Sequence, residues 1–257
     1  MTAPPRILAI AGSDSSGGAG IQADIKTITM LGGYAMTAIT AVTAQNTVGV
    51  QAVEVMPWNI VRAQIDACFD DIGVDAIKIG MVGSAETALL LADALLAREA
   101  FGIEERVVPI VFDPVMVATS GSTLADNATV LAFDRLMTIA TVTTPNVAEL
   151  VALGGSEGMA KRGVTYLAKG GDSDGPQLED RLVRPGTEDR VWRSPRIETR
   201  HTHGTGCTLS SAIATLLGKG LALEEAIDGA RQFVRAALQV APGFGSGHGP
   251  MGHHAVR

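Results

Sequence analysis

The chain has 257 residues, 46 % of them hydrophobic, which is ample for a substantial core. Its 27 acidic residues against 20 lysines and arginines leave a net charge of −7 without a basic cluster, which argues against nucleic acid as a partner. Two cysteines, Cys68 and Cys207, are too few for a disulfide framework and fit a reducing compartment. The apolar runs 7–11 and 34–44 are too short for a signal-peptide core or a membrane span, so we expect a soluble, cytoplasmic protein.

Short β-rich segments alternate with longer helical patterns along the chain, which predicts an α/β fold with a mostly parallel central sheet and helices on both faces. The predicted elements are strand 6–11, helix 21–31, strand 36–43, helix 59–72, strand 75–79, helix 85–98, strand 107–112, helix 124–138, strand 141–143, helix 147–153, strand 164–168, a hairpin near 181–184 and 190–193, and helices 207–219 and 223–239. The chain contains no internal repeat and no linker rich in proline, glycine or serine. We therefore expect a single domain over residues 1–257.

In such sheets a ligand binds beyond the carboxyl ends of the strands. The loops that follow the predicted strands are 12–20, 43–46, 80–81, 113–115, 145–146 and 169–171. They carry most of the polar and glycine-rich motifs of the chain. We therefore expect the functional site where these loops converge.

A glycine-rich turn at 202–208 opens the predicted helix 207–219. Gly204 and Gly206 have no side chains, so the main-chain N–H groups of 204–207 can converge on an anion while the helix dipole adds positive potential. The same field favours a thiolate at Cys207. The alternative is a plain helix cap at Thr205 with a buried, inert cysteine.

Two nucleotide-binding motifs are weak or missing. Gly18-x-Gly20-x-x-Ala23 matches a dinucleotide fingerprint, but six residues separate Gly18 from the end of the first predicted strand. Gln45 stands near the position where that fingerprint needs an acid for the ribose. The chain also lacks a Gly-x-x-x-x-Gly-Lys-Ser/Thr run. Phosphoryl transfer by another route fits better.

Phosphoryl transfer needs an anion cradle, a metal held by acids, a cation for phosphate and a base. The candidates are the turn 204–207 as cradle, Cys207 as base, Asp113 and Glu149 as magnesium ligands, and Lys169 as the phosphate contact. Each has a plain structural alternative. Asp113 can form a turn, Glu149 can stabilise a helix N-terminus, and Lys169 can be a solvated loop residue.

With these residues in view, the chain resembles the hydroxymethylpyrimidine/phosphomethylpyrimidine kinases of thiamine biosynthesis, within the ribokinase-like superfamily. The matching blocks are 11–24, 43–47, 78–81, 113–116, 144–149, 169–171 and 202–208, in order along nearly the whole chain. Sugar kinases of that superfamily usually carry aspartate where Cys207 stands. The cysteine therefore favours kinases that act on pyrimidine or pyridoxal.

The resemblance implies a homodimeric enzyme that uses ATP and Mg²⁺ to phosphorylate 4-amino-5-hydroxymethyl-2-methylpyrimidine and then its monophosphate. It implies catalytic residues Gly204, Thr205, Gly206 and Cys207; substrate contacts Gly12, Ala19, Asp24, Thr43, Gln45, Met81 and Val115; ATP contacts Asn146, Thr202 and Lys169; and metal ligands Asp113 and Glu149. The Gln45 carboxamide offers a donor and an acceptor to an aminopyrimidine edge, and Met81 and Val115 can sandwich the ring. The alternatives are a pyridoxal or pyridoxine kinase and a catalytically silent pyrimidine-binding regulator.

Two features depart from the family pattern. Asp172 stands where the family often has histidine, and only 22 residues, 147–168, separate Asn146 from Lys169. Family members usually carry another helix there, so either this chain has lost it or residues are missing around 154–163. We further expect His253 and His254 to lie in a frayed polar tail without a metal, and Cys68 to be a small core residue.

Overall fold

The computed structural model of the protein describes residues 3–100, 107–171 and 175–256. Within these ranges the strands are β1 (Arg6–Asp14), β2 (Tyr34–Gln45), β3 (Val50–Val55), β4 (Ala76–Ile79), β5 (Ile110–Phe112), β6 (Val142–Thr143), β7 (Tyr166–Ala168), β8 (Gln177–Val183) and β9 (Arg190–Pro195). They form one sheet in the order β3-β2-β1-β4-β5-β6-β7-β8-β9. The six strands from β2 to β7 in that order are parallel; β3 pairs antiparallel at one edge, and β8 and β9 form an antiparallel hairpin at the other.

The helices cover both faces of the sheet. They are α1 (Gly20–Met30), α2 (Trp58–Ala67), α3 (Ala85–Ala100), α4 (Asn127–Ile139), α5 (Val147–Ala152), α6 (Gly155–Arg162), α7 (Thr205–Gly218) and α8 (Leu223–Gln239). Within the described residues, none of them combines the length and the apolar character that a membrane crossing requires. The predicted α/β architecture with a mostly parallel sheet is confirmed.

The alternation of side chains along β1 creates two hydrophobic cores. Ile7 and Ala9 pack into the core shared with α1, α7 and α8, and Leu8 and Ile10 into the core shared with α2, α3 and α4. Successive residues of a strand point to opposite faces, so a central parallel strand is apolar at nearly every position. The two cores fix the sheet between its helical layers and bring the carboxyl ends of the parallel strands to one edge.

The structure differs from the predicted elements in three places. The exposed edge strand β3 has no predicted counterpart, because most of its residues face solvent and give no burial signal. The α-helix predicted over 59–72 ends at Ala67 and continues as a π-helical turn, Cys68–Ile72. The stretch around 154–163 holds helix α6, anchored by the buried Met159, so the short connection retains a second helix despite its glycines. The departure noted at Asp172 lies outside the described residues.

Residues 245–255, called here the C-terminal strap, bind back onto the protein. The amide of His248 donates to the carbonyl oxygen of Thr47 at 3.0 Å. Thr208, in the first turn of α7, places its hydroxyl 2.8 Å from Nε2 of His253. The strap therefore connects the end of the chain to the loop that follows β2 and to the start of α7.

The expectation of a frayed tail is wrong for His253, which is 2 % exposed. Burial lowers the pKa of His253 to about 4, so the ring is neutral near pH 7, and the backbone of Met251 adds a hydrogen bond to it. His254, the next residue, is exposed. Only one of the two histidines is therefore part of the folded structure's interior.

We expect a stability loss at mildly acidic pH that depends on His253. An unfolded histidine titrates near 6.5, so unfolding binds a proton between pH 6.5 and about 4, and the free energy of unfolding falls by up to about 3 kcal/mol as pH is lowered through that window. Urea unfolding at pH 7 and pH 5 measures this. The pH dependence should shrink in His253→Gln and persist in the matched control His254→Gln; equal behaviour of the two variants contradicts the assignment.

Candidate functional site

A cavity of about 630 Å³ opens at the carboxyl ends of the parallel strands. The predicted site residues that line it are Gly12, Ala19, Thr43, Gln45, Met81, Asp113, Val115, Asn146, Glu149, Lys169, Thr202, Gly204, Thr205, Gly206 and Cys207. The loops after separate strands thus converge as the fold class requires. Of the predicted site residues, only Asp24 is not among those that line the cavity.

The start of α7 forms one wall of the cavity. Gly204 is the N-cap, with a left-handed φ of 84° and no side-chain cap hydrogen bond, so the capping role considered for Thr205 is wrong. A Cβ at residue 204 would overlap with the carbonyl oxygen of Gly18, which packs directly against this turn. This first turn has no side-chain cap and lines the cavity, which suits an anion, although the Thr205 amide already donates to the Thr202 carbonyl at 3.3 Å.

Cys207 lies in this first turn, half-buried at the cavity. Burial raises the pKa of Cys207 to about 11, with opposition from Lys78 and reinforcement from Asp24 and Asp113. The amide of Gly20, at the start of α1, donates a hydrogen bond to the sulfur. The expected thiolate at neutral pH is therefore wrong for this structure: the helix start does not overcome the desolvation of the sulfur, and Cys207 is a thiol.

Lys169 forms ion pairs with two carboxylates beside the turn at the start of α7. Its ammonium lies 2.8 Å from Oδ1 of Asp113 and 3.8 Å from Oε2 of Glu149. The Asp113 carboxylate also accepts a hydrogen bond from the Thr144 hydroxyl at 3.0 Å. A Cβ at Gly206 would lie 3.2 Å from the Lys169 nitrogen, so this cation sits directly beside the turn. The alternative of a solvated loop lysine is wrong.

Glu149 has the helix-start role considered for it and also lies at the cavity. It forms a capping box with Asn146 at the start of α5: each backbone amide donates to the other residue's side chain at 2.8 Å. It also lines the cavity. Burial raises the pKa of Glu149 to about 7, against the opposing charge of Lys169. The side-chain oxygen of Asn146 is therefore occupied by the hydrogen bond that caps the helix.

Gln45 lies on the other side of the cavity, at the end of β2. The Ser15 hydroxyl donates to the backbone carbonyl oxygen of Gln45 at 2.8 Å and accepts from the backbone amide of Gln45 at 2.8 Å. The Thr43 hydroxyl lies 2.8 Å from the Ser13 carbonyl oxygen and 3.2 Å from Oε1 of Gln45. Ser15 therefore fixes the backbone of Gln45, and Thr43 contacts its side-chain oxygen. The side-chain nitrogen, Nε2, makes no hydrogen bond to any of the described residues.

Asp24 is the predicted substrate contact that the structure does not place at the cavity. It is 0 % exposed and is not among the lining residues. Its carboxylate instead binds the Lys78 ammonium at 2.9 Å and accepts a hydrogen bond from the Ser211 hydroxyl at 2.7 Å. Lys78 is a functional candidate that the sequence reasoning missed, although the Lys78–Met81 block was available as the signal.

Asp14 and His203 form a second pair that the sequence reasoning missed. Nε2 of His203 lies 2.8 Å from Oδ2 of Asp14, and both side chains are almost fully buried. Burial opposes ionisation of Asp14, but hydrogen bonds from His203, Ser16 and the Ala19 amide bring its pKa below the ordinary value. The pair ties the glycine-rich loop after β1 to the turn before α7. Both residues lie inside the glycine-rich segments 12–20 and 202–208, which gave the signal.

The cavity thus combines three chemical elements. One wall offers a helix start without a side-chain cap beside a thiol, and a second offers a lysine between two carboxylates. A third offers the Gln45 carboxamide, and the apolar side chains of Met81 and Val115 also line the cavity. Amides and an ammonium bind phosphate oxygens, and carboxylates bind a divalent cation. A carboxamide beside apolar side chains recognises a polar heterocycle. The arrangement suits phosphoryl transfer to a small ring-bearing alcohol.

Comparisons with known proteins agree with this chemistry. The sequence profile of the family described as phosphomethylpyrimidine kinase matches residues 14–252. The chain is 46 % identical to a hydroxymethylpyrimidine/phosphomethylpyrimidine kinase of Rhizobium meliloti, over 96 % of each chain. It is 40 % identical to the thiamine biosynthesis multifunctional protein ThiED of Corynebacterium efficiens; that match covers 99 % of this chain and spans 36 % of the longer relative. A Bacillus subtilis pyridoxal kinase, solved as an ADP complex, superposes with a TM-score of 0.85 at 32 % identity over 99 % of both chains.

We expect Gly204→Ala to disturb the cavity wall specifically. The left-handed backbone costs an alanine roughly 1–2 kcal/mol, and the added Cβ must also displace the Gly18 carbonyl. Gly220→Ala is the matched control, because Gly220 has a φ of 89° with no atom within 4 Å of an added Cβ. Denaturant unfolding should show the larger loss for Gly204→Ala. Equal losses in the two variants would mean that the contact with Gly18 contributes nothing.

Proposed function

The chain belongs to the phosphomethylpyrimidine kinase family, with the ribokinase-like α/β fold, and we propose that it transfers the γ-phosphoryl group of ATP to 4-amino-5-hydroxymethyl-2-methylpyrimidine and then to its monophosphate. The observation that carries the proposal is the convergence on one cavity of the α7 start, the Lys169 cluster and the fixed Gln45 carboxamide. The product would serve thiamine biosynthesis, the process named for the ThiED relative.

In the first transfer, the substrate oxygen bonds to the γ-phosphorus while the bond from that phosphorus to the bridging oxygen breaks and ADP leaves. The amides of Gly204, Thr205 and Gly206 face the charge on the transferring group. The Cys207 thiol first releases its own proton to solvent, and the thiolate so formed takes the hydroxyl proton on its sulfur. In the second transfer, the attacking oxygen belongs to the monophosphate.

Gln45 reads the aminopyrimidine edge through its carboxamide, and Met81 and Val115 pack on the ring. Gly12 and Ala19 allow the ring to approach the backbone, since neither carries a bulky side chain. Thr43 supports Gln45 from behind. This places the ring between the loops after β1, β2 and β4.

ATP is assigned to Lys169, Asn146 and Thr202, which line the cavity around the α7 start. Asp113 and Glu149 suit a magnesium ion, because Mg²⁺ commonly binds one or two carboxylates together with phosphate oxygens and water. Within the described residues no group of three acidic, histidine or cysteine side chains is arranged to hold a metal ion. The ion would supply charge neutralisation on the phosphates.

Pyridoxal is the second candidate substrate, supported by the superposition on the Bacillus subtilis pyridoxal kinase. A panel that compares kcat/KM for the pyrimidine alcohol, its monophosphate and pyridoxal distinguishes the two. The main proposal expects the pyrimidines to have the higher values. The absence of ADP release with every one of these alcohols would instead favour a catalytically silent pyrimidine-binding regulator.

We further propose a homodimer that acts in the cytoplasm, as the family resemblance implies. Sedimentation analysis of the purified chain tests the dimer, and fractionation of the source cells tests the location. A monomer at micromolar concentration would overturn the first assignment.

We expect Cys207→Ala to lower kcat by roughly 10²–10⁴, the usual contribution of a positioned acid–base group, with KM values nearly unchanged. The amide wall remains in this variant, so binding persists. Cys207→Asp should recover part of the rate if basicity is what matters. Cys68→Ala is the matched control and should turn over like the parent. A Cys207→Ala enzyme within a few-fold of the parent returns the cysteine to packing.

We expect Gln45→Leu to weaken pyrimidine binding by about 1–3 kcal/mol, because the polar ring edge loses its partner. ATP binding should change little. Calorimetric titration with each ligand measures both, and the exposed Gln51→Leu on β3 is the matched control. An unchanged pyrimidine affinity contradicts the assignment of Gln45.

We expect Asp113→Asn and Glu149→Gln to raise the magnesium concentration needed for half-maximal rate, because each removes charge at the proposed ion. Binding of the pyrimidine in the absence of metal should persist. Initial rates across a magnesium titration measure this, with the exposed Glu157→Gln as control. A parent-like magnesium dependence in both variants limits these acids to structural roles.

A further inference from the structure

Lys78 and Asp24 form an ion pair with both side chains 0 % exposed. Both ammonium bonds go to the two carboxylate oxygens, at 2.9 and 3.0 Å. Burial alone would lower the pKa of the Lys78 amine, but the surrounding acids, Asp24 foremost, raise it above the ordinary value. Burial raises the pKa of Asp24, although Lys78 and the hydrogen bond from Ser211 act to lower it. Lys78 is therefore a charged ammonium in the protein interior.

Such a pair is weak evidence for a stabilising role, because desolvation of two charges offsets most of their attraction. The location of the Lys78–Asp24 pair suggests a functional reason for its presence. Lys78 lies on β4, the central parallel strand next to β1, and lines the cavity floor. Asp24 comes from α1, and Ser211 from α7, one helical turn after Cys207. The pair thus sits where α1, α7 and β4 meet, directly beneath the first turn of α7.

Four charged side chains from four elements act electrostatically on Cys207, and three of them line the same cavity. They are Lys78 on β4, Asp24 on α1, Asp113 after β5 and Lys169 after β7. Both acids oppose a negative charge on the sulfur, and burial opposes it further. Lys169 is already committed to Asp113 at 2.8 Å and to Glu149. Lys78 is the strongest of these influences in favour of negative charge on Cys207.

We propose that Lys78 is a positioning residue that acts through Cys207: its buried ammonium, fixed by Asp24, stabilises the thiolate that has to form before the sulfur can take the substrate proton. This rests on the proposed function for the catalytic role of Cys207. Asp24, in this assignment, holds the ammonium in place and moderates its effect on the sulfur. Lys78 then acts on the sulfur and not by contact with the substrate.

The test measures the reactivity of Cys207 without any substrate. In a Cys68→Ala background, the rate constant for alkylation by iodoacetamide at pH 8 reports the thiolate fraction of Cys207. Lys78→Met should lower this rate about tenfold, since a lost opposite charge moves a neighbouring pKa by one unit or more. Asp24→Asn should raise it several-fold, because Lys78 then acts on the sulfur unopposed. The exposed Lys219→Met, at the end of the same helix, should leave it unchanged.

The opposite signs separate this proposal from a structural role. Loosened packing would expose the sulfur in both variants and accelerate alkylation in both, and that result would overturn the proposal, as would a rate within twofold of the parent in Lys78→Met. Where Lys78→Met does not fold, Lys78→Met/Asp24→Asn removes both charges and should still slow alkylation, because Lys78 is the larger influence. Absence of turnover in the parent counts against the proposed function alone, since alkylation needs no turnover.

Discussion

The contact between two glycine-containing backbones determines how the cavity is built. Gly204 can take its left-handed conformation against the Gly18 carbonyl only because it has no side chain, and a Cβ at Gly18 would in turn overlap with the His203 ring. This brings the starts of α1 and α7 together, so that the Gly20 amide reaches the sulfur of Cys207. The Asp14–His203 pair fixes the same contact from the side. The other walls are arranged around two helix starts that cannot separate without unpairing buried groups.

The charges of the site are distributed in layers. The protein is acidic overall, with a net charge of −7, so an anionic substrate has to be captured locally. Helix-start amides and Lys169 offer that capture at the cavity surface, and Lys78 lies one layer deeper. Each ammonium is held by carboxylates, which keeps the lysines protonated despite their burial. A cost of this design is that the same carboxylates oppose ionisation of Cys207.

The sequence was sufficient for the order of the elements and for bringing all predicted site residues except Asp24 to the cavity, because buried parallel strands and the glycine-rich loops after them have strong local signals. It was insufficient where the outcome depends on distant contacts. Asp24 sits in a motif beside substrate-binding positions, yet only the packing of α1 on β4 reveals that Lys78 binds it. The expectation of a thiolate at Cys207 failed for the same reason. The effect of the helix dipole on the thiol pKa can be expected from the local sequence, whereas the effect of desolvation depends on the whole fold.

The C-terminal strap makes the end of the chain part of the cavity wall, since Thr208 of α7 pairs with His253 and the His203 amide donates to the Gly249 carbonyl at 3.1 Å. Order in the strap and order in the α7 start are therefore thermodynamically linked. A ligand that tightens the α7 start must favour the docked strap by the same factor by which docking favours the ligand. Protection of strap amides from hydrogen exchange would then report occupancy of the cavity.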